Sequence, residues 1–139
     1  MVYVSSFTYC DSIQTQILPD KGVISRINNP LVALRPVSIP GNFSFALSFN
    51  IMGFEPSEKH QIIAEFRAPN GESQRILDLE ATNAKPRNND IPVMHIDIDI
   101  RNYVLNTEGT YETSVIFDGE EIGKYNIEVM KGGTGDVSR

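Results

Sequence analysis

Tryptophan is absent from this chain, cysteine occurs once, and no basic cluster or long apolar run is present. Each absence closes off a class of function. Without tryptophan the chain lacks the strongest platform for stacking on sugars and the commonest hot-spot residue of protein interfaces. With Cys10 alone no intramolecular disulfide can form, which fits a reducing compartment. No stretch approaches the ~20 apolar residues of a membrane-spanning helix, and "MVYVSSFTYCDS" has neither the positive start nor the apolar run of a signal peptide. A cytoplasmic location with no membrane partner is the expectation. Twelve Lys and Arg stand against 18 Asp and Glu, a net charge of −6, so nucleic acid is not expected as a partner, because phosphate binding needs concentrated positive charge. Also missing are a glycine-rich phosphate loop, a paired-histidine zinc helix, a CxxC pair and a G-x-S-x-G elbow. No cofactor is implied.

Helical periodicity is nearly absent too, and alternation takes its place. In "FSFALSFNI" the residues Phe43, Phe45, Leu47, Phe49 and Ile51 share one face, and Ser44, Ala46, Ser48 and Asn50 the other. A period of two, large and apolar on one side only, describes a strand with one buried face. Gln61–Ala68 alternates likewise, and Asn70-Gly71 predicts a hairpin returning along Ser73–Glu80. "TYETSVIFDGEEIGKYNIEVM" reads as a second hairpin around Asp118-Gly119, with Tyr125, Ile127 and Val129 pointing inward. Weaker strands are expected at Val2–Cys10, Val23–Ile27, Leu31–Ile39 and Val93–Arg101, the middle two interrupted by Pro30 and Pro36.

Eight or nine short strands without helices predict an all-β antiparallel sandwich, immunoglobulin-like or jelly-roll-like, in a single domain over residues 1–130. Residues 131–139, "KGGTGDVSR", have little to bury and are expected to form a disordered tail. Gly109-Thr110-Tyr111 suits a tyrosine at a sandwich corner.

One stretch invites a chemical reading. "HIDIDIRN" sets His95, Asp97 and Asp99 at alternate positions, which on a strand places them on one face about 6.6–6.8 Å apart. An imidazole and two carboxylates suit a divalent cation such as Mn²⁺ or Zn²⁺, given further ligands from a neighbouring strand. The plainer reading is a solvated sheet face, with Arg101 relieving the carboxylate repulsion. Two aspartates on one strand remain unusual, because Asp is a poor strand former. General acid–base work by this pair would need a cleft that a flat strand face does not supply. Cys10 could pair with His60 or His95 as a nucleophile, but a lone cysteine is more often a small buried residue. Recognition is expected instead in the loops 53–60 and 81–92, at Glu55, Lys59, Arg87, Asn88, Asn89 and Asp90, because loops carried on a rigid frame commonly bind.

The opening "FTYCDSIQTQ…KGVISRINNPLVAL" has an aromatic strand ending in Cys-Asp and a following Gly-Val/Ile strand. The closing "EGTYETSVIFDGEEIGKYNIEVM" adds a Gly-x-Tyr strand, an Asp-Gly turn and a last strand. Together they resemble the small uncharacterised bacterial or phage-associated β-sandwich proteins of the domain-of-unknown-function class, and the closing half resembles the last hairpin of bacterial immunoglobulin-like modules. The resemblance implies the sandwich fold and assigns no catalytic residue. The leading expectation is a non-enzymatic binding or interaction module with a protein partner or self-association, inside a bacterial or phage-related assembly. The alternatives are a metal-dependent enzyme or ion-binding protein centred on His95, Asp97 and Asp99, and a structural subunit that self-assembles through its strand edges.

Overall fold

The computed structural model describes residues 1–20, 22–83 and 91–132. These residues form nine strands: β1 Tyr3–Leu18, β2 Gly22–Pro30, β3 Ala33–Leu34, β4 Gly41–Met52, β5 Lys59–Arg67, β6 Ser73–Thr82, β7 Val93–Leu105, β8 Gly109–Phe117 and β9 Glu120–Val129. They make two sheets, ordered β2-β1-β4-β7 and β3-β9-β8-β5-β6. Every pairing is antiparallel except the short parallel contact of β3 with β9. Proline explains the brevity of β3: of the expected Leu31–Ile39 only two residues join the ladder, because Pro36 and Pro40 have no amide hydrogen to donate.

Alternation along β4 directs the packing. Phe45, Leu47, Phe49 and Ile51 are fully buried and face Ile62, Ala64 and Phe66 of β5 with Tyr111, Val115 and Phe117 of β8. At about 25 cal/mol per Å², burying each such aromatic or branched side chain stabilises the fold by about 1.5–3 kcal/mol. The β7 pattern is strict, with Met94, Ile96, Ile98 and Ile100 buried and His95, Asp97, Asp99 and Arg101 outside.

The turns follow their chemistry. Asp118 and Gly119 both take positive φ, 50° and 84°, as a two-residue type I′ turn requires. At the other hairpin the Gly71 amide donates to the Ala68 carbonyl at 2.9 Å and Gly71 takes φ 94°, giving a three-residue loop closed by a glycine bulge. Tyr111 donates its hydroxyl hydrogen to the Thr107 carbonyl at 2.9 Å, locking the corner before β8.

Three differences from the sequence reading have physical causes. β1 runs on past Cys10 to Leu18, because "DSIQTQIL" pairs with β2 after β1 has left β4: Cys10 is the last β1 residue opposite β4, facing Ala46. β7 runs on to Leu105 through a bulge at Asn102, φ 54°, whose amide donates to the Ser44 hydroxyl at 3.0 Å. Beyond Met130 the chain is still tied down, the Lys131 amide to Glu108 at 2.9 Å and the Gly132 amide to the Pro36 carbonyl at 2.8 Å. Residues 133–139 of the expected tail lie outside the described residues.

Candidate functional site

Outward on the first sheet, β1, β4 and β7 set their side chains in rows: Ser5, Asn50 and His95; Thr8, Ser48 and Asp97; Cys10, Ala46 and Asp99. The structure therefore does bring His95, Asp97 and Asp99 onto one face, and gives each a protein partner. His95 Nδ1 lies 2.7 Å from Asn50 Oδ1, and His95 Nε2 lies 2.9 Å from Asp97 Oδ1. Asp97 Oδ2 accepts from the Ser25 hydroxyl at 2.7 Å. Asp99 turns the other way, into a two-pronged contact with Arg101 at 2.9 and 3.2 Å. Among the described residues no group of three or more His, Cys, Asp or Glu is placed to hold a metal ion.

The Ser25 contact has a topological consequence. Ser25 lies on β2 and Asp97 on β7, the two outermost strands of this sheet. Three strand spacings would separate them by about 14 Å in a flat sheet. A direct bond requires that the β1–β2 hairpin, released from β4 after Cys10, curl across the outward face. Cys10 lies beneath this hairpin and is fully buried. Burial, then the charges of Asp97 and Asp11, push its thiol pKa above the usual value, so the reactive thiolate is disfavoured.

A second polar group, a pairing that the sequence did not announce, closes one end of the other sheet. His60 is buried against Phe54 and Phe117, with ring centroids 5.7 and 4.7 Å away. Its Nδ1 lies 2.7 Å from Asp118 Oδ2, and its Nε2 lies 2.8 Å from the Glu55 carbonyl oxygen. The carbonyl can only accept, and so can an ionised carboxylate, so both ring nitrogens carry protons and His60 is held as imidazolium. Burial alone would lower its pKa; the hydrogen bonds to Glu55 and Asp118, with the Asp118 charge, outweigh that and hold it above the ordinary value. Burial would likewise raise Asp118, but the bonds from His60 and the Gln61 amide hold its carboxyl below the ordinary value. A histidine with both nitrogens engaged is a clamp, joining the loop after β4 to the β8–β9 turn. Residues separated by 58 positions carried no local motif. The one available signal was that Asp118 sits in a turn, where a carboxylate is free to reach sideways.

The expected recognition loops divide. Glu55 lends its backbone to this clamp, and Lys59 pairs with Glu80 at 3.2 Å on the surface. Arg87, Asn88, Asn89 and Asp90 lie outside the described residues. Phe54 is buried and Tyr103 half-buried, whereas Tyr3 is about half-exposed.

A concavity lies elsewhere: a cleft of about 400 Å³ at the end of the sandwich formed by the β5–β6 turn, the last residues of β7 and the β7–β8 loop. Gln74, Asn102, Tyr103 and Asn106 line it, with Asn70, Glu72 and Arg101 at its sides. The charged groups are engaged, Arg101 with Asp99 and Glu72 with the Asn70 amide at 3.2 Å. Among the described residues the side-chain amides of Gln74, Asn102 and Asn106 and the Tyr103 hydroxyl have no hydrogen-bond partner. Burial, with Tyr111 and Glu72 nearby, raises the Tyr103 pKa, so its hydroxyl stays protonated and able to donate. Four consecutive residues, Arg101, Asn102, Tyr103 and Val104, line the cleft around the left-handed backbone of Asn102. Sequence reading missed this cleft because its lining comes from two stretches, residues 68–74 and 101–111, that no local motif links.

Comparison with known proteins agrees with the architecture. Residues 5–130 match the model of a family of unknown function, DUF6941, and the chain belongs to that family. Among curated proteins none matches. Two solved structures share the fold at 11% identity. Pseudomonas fluorescens alkylpurine DNA glycosylase AlkC, bound to DNA containing an abasic site analog, gives a TM-score of 0.52 over 94% of this chain and 30% of its own. Listeria innocua β-glucosidase in complex with isofagomine gives 0.51 over 92% of this chain and 16% of its own. The chain thus spans less than a third of either, and the likeness is one of fold.

Proposed function

We propose that this member of the DUF6941 family is a non-enzymatic binding module, immunoglobulin-like in build, that engages a protein partner through its end cleft. The observation that carries the reading is the set of unpartnered polar groups in that cleft. Gln74, Asn102 and Asn106 present donors and acceptors that no other described side chain uses, beside the rings of Tyr103 and Tyr111. The cleft falls within the size range of ligand-binding concavities, and its polar groups converge on it. Against catalysis stand the states of the reactive side chains: both nitrogens of His60 and of His95 are engaged, and Cys10 is buried with a raised pKa. In both solved neighbours the shared fold is a small part of a longer chain, which suits a module serving a larger assembly. A buried free thiol suits a reducing, cytoplasmic setting.

Photo-cross-linking in cells tests this. Benzoylphenylalanine placed at Asn106 should yield discrete protein adducts that the same group at Glu121, away from the cleft, does not. No adduct at 106, or the same adducts from both positions, refutes the reading.

A further inference from the structure

The cleft lies where the edge strands of the two sheets meet. Among the described residues β6 pairs only with β5, and β7 only with β4, so each is the edge strand of its sheet. Ser73 and Gln74 are the first residues of β6, and Arg101–Val104 are among the last of β7; both sets line the cleft. Edge strands carry a row of backbone donors and acceptors directed away from the sheet. These ends of β6 and β7 are opposite to the ends joined by the connection 83–92, so no short turn links the two edges here.

The side chains add a second constraint. Primary amides offer a donor and an acceptor on one small group, the same pair that a peptide unit offers. Three of them, on Gln74, Asn102 and Asn106, lack partners among the described residues. The two charged groups at the walls, Arg101 and Glu72, are of opposite sign and already paired, so nothing in the cleft selects a phosphate or a free carboxylate. Val104, half-exposed at 51%, puts an apolar side chain on the rim.

Resting on the binding-module reading, we infer that the cleft takes an extended, uncharged peptide segment of the partner, added to the free edge of β7 and held by the amides of Gln74, Asn102 and Asn106. Addition to an edge supplies main-chain bonds, and side-chain pockets at alternate positions supply selectivity. The bulge at Asn102 limits the regular edge to a short run beside the cleft, which fixes the register of the added strand.

The full chain should be probed with an array of uncharged decapeptides, acetylated and amidated at their ends. A peptide that binds should bind at least ten-fold more weakly to Gln74→Ala and to Asn106→Ala, both on exposed side chains whose loss leaves the fold intact. Methylating its backbone nitrogens one at a time should abolish binding at alternate positions only. Amide exchange at residues 103–105 should slow in the complex. Several results would overturn the inference: no binder in the array, binding indifferent to both substitutions, tolerance of methylation throughout, or perturbation of the same amides by chitotriose rather than by peptide. A negative array beside discrete Asn106 adducts would sink the strand-addition idea and leave the binding-module reading standing.

Discussion

Replacing Tyr9 by phenylalanine should destabilise the protein, and a second substitution should restore part of the loss. The Tyr9 hydroxyl lies 2.7 Å from the Tyr125 carbonyl and 2.7 Å from Thr113 Oγ1, bridging the two sheets through the core. The carbonyl can only accept, so Tyr9 donates to it and Thr113 donates to Tyr9. Thr113 is fully buried, so Tyr9→Phe strands its hydroxyl without water. That orphan costs about 1–3 kcal/mol, and the lost bond to the carbonyl about 0.5–1.5 more. A total near 3 kcal/mol is expected, or about 10 °C in melting temperature for a domain of this size. Thr113→Val alone removes one bond and should cost about 1 kcal/mol. In the double variant no hydroxyl is left unsatisfied, so Thr113→Val should stabilise the Tyr9→Phe background while destabilising the parent. Urea unfolding followed by circular dichroism reads all four proteins. Additive losses would refute the assignment of donor and acceptor and the buried bridge itself. The same hydroxyl gives an alkaline signature. Burial first, offset in part by the Thr113 bond, pushes its pKa up to about 12 from 10.0. The unfolded chain therefore loses this proton first as pH rises, and stability should fall by about 3 kcal/mol between pH 10 and 12. Tyr9→Phe should flatten that slope.

Asp118→Asn should invert the behaviour of His60. In the parent, the His60 imidazole NMR signals should titrate above the ordinary histidine value, and stability from the raised His60 pKa should be lost as pH rises through its folded value, while that from Asp118 is lost as pH falls through its own lowered value. The carboxamide introduced by this substitution can donate to Nδ1 and so favours neutral imidazole; an unmoved titration would mean that the carboxylate does not set the charge. Ser25→Ala should loosen the hairpin over Cys10 and speed the reaction of the native thiol with an aromatic disulfide about five-fold, as loss of roughly 1 kcal/mol implies; an unchanged rate would show that the Asp97 contact does not hold the cover. Melting with EDTA, Ca²⁺, Mg²⁺, Mn²⁺ or Zn²⁺ should give one temperature throughout, since the His95, Asp97 and Asp99 side chains are committed to protein partners. A rise of several degrees with one cation, abolished by Asp97→Asn/Asp99→Asn, would restore the metal reading.

Local chemistry alone determined much of this protein. Alternation named the core-facing side chains of β4 and β7, because a strand's side-chain period is two; on β7 the other face is exposed, whereas on β4 Ala46 and Ser48 of the outward face are buried as well and Phe43 is only half-buried. Asn70-Gly71 and Asp118-Gly119 placed both late hairpins, because glycine takes the positive φ that each turn needs. Tyr111 declared its corner by the glycine two residues before it. The outward position of His95, Asp97 and Asp99 was equally legible.

Only the tertiary structure decided what those side chains do. His60 meets Asp118, Ser25 meets Asp97, and Tyr9 meets Thr113 across 58, 72 and 104 residues, distances over which no spacing rule operates. "DSIQTQIL" alternates weakly, and it becomes strand because β2 pairs with it after β4 has let go. The cleft exists because sheet order leaves β6 and β7 as edges on the same side of the sandwich. Pattern fixes which way each residue faces; which residues then meet depends on how the faces are stacked, and that is a property of the whole chain.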